Sequence, residues 1–131
     1  MKKLVFVVAL IGLVAAPALA APQSTLVGRY QCTFSNGGTT YAAQPCRIAT
    51  KKAKDGSGRT LWFEKSGGSQ RLRGWVHPKE DGFEVDGQFY CPRGACTEAV
   101  QVRFIAKDAG FAGVFEHHQA GKMEVWMVRG K

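Results

Sequence analysis

Six residues of this chain combine aromatic and basic character at spacings that bring them to one surface: Arg47, Trp62, Arg71, Arg73, Trp75 and Tyr90. Arg beside an aromatic face makes cation–π contact. Exposed aromatic rings stack on sugars or bases, and a neighbouring guanidinium pairs with anionic groups. The same residue types dominate protein–protein hot spots, so a protein partner is a second occupant that such a surface suits. Glu64 falls among them and supplies a cross-strand partner for the cations.

Other chemistry is poorly provided for. No Ser stands in a nucleophile-elbow context, and the acids near His77 read as cross-strand charge pairs. His117 and His118 with His77 and Glu116 suggest a metal set at first sight, but adjacent strand residues point to opposite faces and do not chelate together. The four Cys contain no C-x-x-C pair, so neither a redox motif nor a zinc site is expected. No catalytic residue, metal ligand or cofactor is assigned, and an enzyme is not the expected class.

A sheet is needed to align the six residues. Thr60 to Ala106 reads as four strands joined by three tight connections. With Gly67-Gly68 as a two-residue turn, Glu64 faces Arg71, Phe63 faces Leu72 and Trp62 faces Arg73. With Asp81-Gly82 as the next turn, His77 faces Asp86, Trp75 faces Gln88 and Val76 faces Gly87. Pairing Cys91 with Cys96 sets Phe83 opposite Phe104, Val85 opposite Val102 and Gly87 opposite Val100. All three registers agree on one apolar and one polar face, with Arg73 between Trp62 and Tyr90 on the polar one.

The flanking segments continue the pattern. Leu26 to Phe34 alternates, with Leu26, Tyr30, Cys32 and Phe34 inward. Ser35 to Gln44 is a Gly- and Thr-rich loop, and Cys46 to Lys52 forms a strand that sets Ile48 against Phe63 and Arg47 against Glu64. Lys107 to Gly110 turns the chain so that Ala106 meets Phe111 and Phe104 meets Gly113. Met123 to Arg129 is the last strand, in a register that leaves the side taken by Trp126 open. No convincing amphipathic helix follows residue 20.

Residues 1–20 read as a cleaved signal peptide: Lys2-Lys3, an apolar run from Leu4 to Val14, and Ala18-Leu19-Ala20 as the cleavage site. The apolar run is too short for a comfortable membrane span. Residues 21–131 then form a single disulfide-tied β domain in the periplasm or outside the cell. Loss of Lys2 and Lys3 lowers the formal charge from +8 to +6. A basic exported domain meets polyanionic glycans, anionic envelope components or acidic proteins; nucleic acid is not the expected partner, and a monomer is expected. Four Cys in an exported chain read as two disulfides. Of the three possible connectivities, Cys32–Cys46 and Cys91–Cys96 are favoured because each closes a local connection.

The expected fold is therefore all-β: about eight strands in an antiparallel meander, closed as an up-and-down β-barrel or folded as a two-sheet sandwich. Gly28-Arg29-Tyr30 stands where lipocalins carry a G-x-W tripeptide, and the barrel shape resembles that of lipocalins and other calycins. The functional expectation is a small exported binding protein, non-catalytic, whose aromatic–basic outer face takes an anionic glycan or envelope ligand. Two alternatives stand beside it: a protein-interaction module, such as an inhibitor of an exported enzyme, and a carrier of a small apolar ligand. For the carrier, Gly74, Gly87 and Gly113 on a Phe-rich inner face would leave room in the barrel.

Overall fold

The computed structural model describes residues 23–130 and, N-terminal to them, Gly12. The expected leader over residues 1–20 lies outside the described residues, Gly12 apart. The strands are β1 (Gly28–Asn36), β2 (Thr39–Thr40), β3 (Gln44–Lys52), β4 (Arg59–Lys65), β5 (Arg71–Lys79), β6 (Gly82–Tyr90), β7 (Thr97–Lys107), β8 (Gly110–His117) and β9 (Gly121–Arg129). They pair antiparallel in the order β2-β1-β3-β4-β5-β6-β7-β8-β9, and β1 also pairs with β9. Eight strands thus close into an up-and-down barrel, and β2 is an extra strand on the rim. Closure leaves those eight without a free edge, which removes the sandwich alternative.

Alternation supplies the core. Leu61 and Phe63 of β4, Phe83 and Val85 of β6, Val102 and Phe104 of β7 and Met127 of β9 are fully buried, and Val125 of β9 nearly so. Each such side chain contributes about 1.5–3 kcal/mol relative to exposure. Phe83 stacks on its cross-strand partner Phe104 with ring centroids 4.6 Å apart. Phe111 packs against the same cluster while partly exposed. Both disulfides form as favoured, Cys32–Cys46 and Cys91–Cys96. The first joins β1 to β3 inside the barrel; the second closes the β6–β7 connection.

Several expected pairings hold: Ile48 with Phe63, Arg47 with Glu64, the whole Phe83–Phe104 register, and Ala106 with Phe111. Two do not. Glu64 stands opposite Arg73 and Trp62 opposite Trp75, so β4–β5 is slipped by two residues from the Gly67-Gly68 hairpin. The Ser66 amide bonds to the Pro45 carbonyl instead, which extends β4 along β3 and leaves a longer loop on the β5 side. In β5–β6, Lys79 pairs with Gly82 and Trp75 with Asp86, so the turn is Glu80-Asp81 and not Asp81-Gly82. Gly82 is needed in the strand itself, because a Cβ there would lie 2.0 Å from the Phe104 carbonyl oxygen. A slip of two keeps every side chain on its expected face.

Three local differences complete the comparison. Leu26 ends a helical turn, α1 (Gln23–Leu26), and is not part of β1. The Ser35 to Gln44 segment contains β2, formed by a hairpin at Gly37-Gly38 whose positive φ angles of 53° and 91° suit glycine. β9 starts at Gly121 and points Met123, Val125 and Met127 inward, so Trp126 lies on the outer face opposite Ala112 and Thr33.

Candidate functional site

The outer face of β3 to β6 brings the six expected residues together. Arg47, Glu64, Arg73 and Gln88 form one row across four strands. Ala49, Trp62, Trp75 and Asp86 form the next row toward the β3–β4 loop. Arg71 and Tyr90 are opposite each other on the other side of the first row. Rows follow from pairing: outward residues of neighbouring strands line up side by side.

The slipped β4–β5 register decides the contacts. Trp62 and Trp75 meet edge to face, with centroids 4.7 Å apart and planes at 75°. Such a pair adds about 0.5–1.5 kcal/mol beyond the area it covers. The cation over Trp62 is Lys51, whose Nζ is 3.9 Å from the Trp62 ring centre and 5.6 Å from that of Trp75. Arg73 is therefore not between Trp62 and Tyr90 as the expected register had it. It sits opposite Glu64 and Gln88, stacks diagonally on Tyr90 at 4.2 Å, and donates to Gln88 Oε1 at 3.1 Å. Arg47 is neutralised by Glu64 at 3.2 Å. Among the described residues, Lys51 and Arg73 have no acidic partner within ion-pair distance. The face thus offers two aromatic platforms, each with a cation on it.

Lys51 was readable only in part, because the charged run it begins resembles a solvated turn. Its place opposite Thr60, diagonal to Trp62, follows once Ile48 is set against Phe63.

The inner-face glycines do not supply the room that the carrier alternative would use. Gly74 and Gly87 pair directly, and a Cβ on Gly74 would lie 2.6 Å from the Gly87 Cα. The Phe104 ring covers Gly113, 2.7 Å from where its Cβ would be. These glycines allow close approach of backbone and ring, and the space they free is taken.

One charged side chain does point inward. Lys65 continues the inward series Leu61, Phe63 and is 8% exposed. Its Nζ donates to the Gln70 carbonyl at 2.6 Å and lies 5.0 Å from the Phe34 ring centre. Burial, with a smaller contribution from the Arg71 charge, pushes its pKa below the ordinary lysine value of 10.5. Sequence reasoning passed over it, although strict period-two alternation from Leu61 marks it.

His117 serves the β8–β9 turn, whereas His77 lies on β5 opposite Glu84. His117 Nδ1 accepts the Gln119 and Ala120 amides, its ring meets Phe89 edge to face at 4.8 Å, and its Nε2 faces Glu98 at 3.7 Å. Among the described residues, no group of three or more His, Cys, Asp or Glu is placed to hold a metal ion. Among the same residues no helix is long and apolar enough to cross a membrane. No known family model matches the chain, and no curated protein or solved structure matches it significantly.

Proposed function

We propose that this protein is an exported, non-catalytic binding barrel whose outer face over β3–β6 takes an anionic glycan of the cell envelope. The observation that carries the reading is the Lys51–Trp62–Trp75 cluster beside the Arg73–Tyr90 stack. Sugar rings stack on aromatic faces, and carboxylate or sulfate groups on the same polymer pair with the adjacent cations. Arg71 extends the basic surface beside Tyr90, while Asp86 opposite Trp75 marks an acidic edge. Two disulfides accord with an oxidising compartment, which supports a periplasmic or secreted location.

The test is a titration of Trp fluorescence with anionic glycans at low and physiological salt, in a Trp126→Phe background. Trp126 lies on β9, so its removal leaves Trp62 and Trp75 as the reporters. Binding that weakens with salt and is lost in Trp62→Ala and Arg73→Ala supports the proposal. Binding indifferent to both substitutions, or none, refutes it and moves the face to an exported protein partner, sought by pull-down with the same variants as controls.

A further inference from the structure

The two ends of the barrel are lined differently. At one end Tyr30 and Arg129 bond to the backbone of α1 and the residue after it, beside an open cavity of about 420 Å³ that has Glu80, Asp81 and Asp108 on its wall. At the other, beneath the loops around Tyr41 and Gly68, a cavity of about 290 Å³ opens to solvent. Phe34, Phe89 and Met123 give it apolar walls, and Lys65 stands among them. A second cavity of about 560 Å³ shares the wall at Gly68, Ser69 and Gln70 and adds Arg71 and Arg93.

Packing alone gives no reason for a lysine here, since an apolar residue would continue the series Leu61, Phe63 without the cost of burying a charge. An ammonium has three donors, and the Gln70 carbonyl takes one. Among the described residues no carboxylate lies within ion-pair distance of Lys65. A cation, apolar walls and an open mouth together describe a site for a molecule with one anionic group and an apolar body.

We infer that the mouth of the barrel binds a small amphipathic carboxylate, its carboxylate on the Lys65 ammonium and its apolar part against Phe34, Phe89 and Met123. The cavity is at the lower end of ligand-pocket sizes, roughly 300–1,000 Å³, so the apolar part is a short chain or a single ring. Phe63, Phe83 and Phe104 pack together in the barrel interior, which also favours a short tail. The site is separate from the outer face and does not depend on its function.

The experiment uses residues 21–131, uniformly labelled for NMR, with hexanoate as the probe and hexanol as the uncharged control. Hexanoate is expected to show intermolecular NOEs to Phe34, Phe89 and Met123, and to bind about tenfold or more tightly than hexanol, as a charge-assisted hydrogen bond supplies. Lys65→Met should remove that preference, whereas Trp62→Ala should leave it unchanged. The NOEs need no substitution, so they decide the matter even if a variant folds poorly. Absence of binding at millimolar hexanoate, NOEs to any other surface, or equal affinity for hexanoate and hexanol would overturn the inference.

Discussion

The guanidinium of Arg129 lies 4.7 Å from the centre of the Tyr30 ring, and both side chains tie the helical turn to one end of the barrel. The Tyr30 hydroxyl donates to the Leu26 carbonyl at 2.6 Å. Arg129 donates to the Val27 carbonyl at 2.9 Å and to that of Thr25. The last residues of β9 are thereby tied to the first residues before β1, at the seam where the barrel closes.

Removing either half of this clasp should loosen that end. Arg129→Ala is expected to cost about 1–3 kcal/mol, from two charged hydrogen bonds and a cation–π contact. Tyr30→Phe should cost about 1 kcal/mol through the lost hydroxyl bond. Urea unfolding checks both, and hydrogen exchange should rise first at residues 25–30 in Arg129→Ala.

Tyr30 also gives a pH dependence. Burial raises its pKa above the ordinary 10.0, an effect partly offset by the Arg129 charge. Above pH 10.0 the unfolded chain releases this proton while the folded protein keeps it. The stabilisation is complete below pH 10.0 and is lost as pH rises through the folded value. Stability of the wild type should fall over that window, and Tyr30→Phe should fall less.

Lys65 has the opposite sign. Its folded pKa is lowered, so below that value the folded protein carries the full penalty of a buried cation. Between that value and 10.5 the unfolded chain binds the proton and the folded protein does not, so stability rises with pH. Comparison with Lys65→Met isolates the effect: the wild type should gain on the variant as pH approaches 10.5. A constant difference between the two would contradict it.

The disulfides should differ in weight. Cys32–Cys46 closes a 15-residue loop across buried strands and should contribute about 3 kcal/mol. Cys91–Cys96 closes a short connection at the mouth and should contribute about 2 kcal/mol or less. Paired Cys→Ala variants, unfolded in urea, give the two values.

The Gly74–Gly87 pair should resist substitution. A Cβ at Gly87 would lie 1.9 Å from the Arg73 carbonyl oxygen, and backbone has little freedom to yield. Gly87→Ala should cost about 1–3 kcal/mol or more as an overpacked site, and it should disturb the Trp62–Trp75 contact one row away, visible in near-ultraviolet circular dichroism.

The sequence alone determined which side of the central strands is wet, but left the side of β9 that carries Trp126 open. Leu61, Phe63, Phe83, Val85, Val102 and Phe104 declare their face by period-two alternation, and the Arg47, Trp62, Arg71, Arg73, Trp75 and Tyr90 set follows as its complement. The local disulfides were legible for a similar reason, since each joins neighbouring strands across a short connection. What alternation does not carry is register, because a slip of two residues leaves both faces unchanged. Only the closed barrel chose Trp75 over Arg73 as the neighbour of Trp62, spent Gly82 on close approach to β7 rather than on a turn, and brought Lys51 onto Trp62. It alone joined β1 to β9, and so made an inside with two distinct ends, one carrying the Arg129–Tyr30 clasp and one where Lys65 meets apolar walls. These are contacts between residues far apart in the chain, settled when all strands pack at once, and no local pattern encodes them singly.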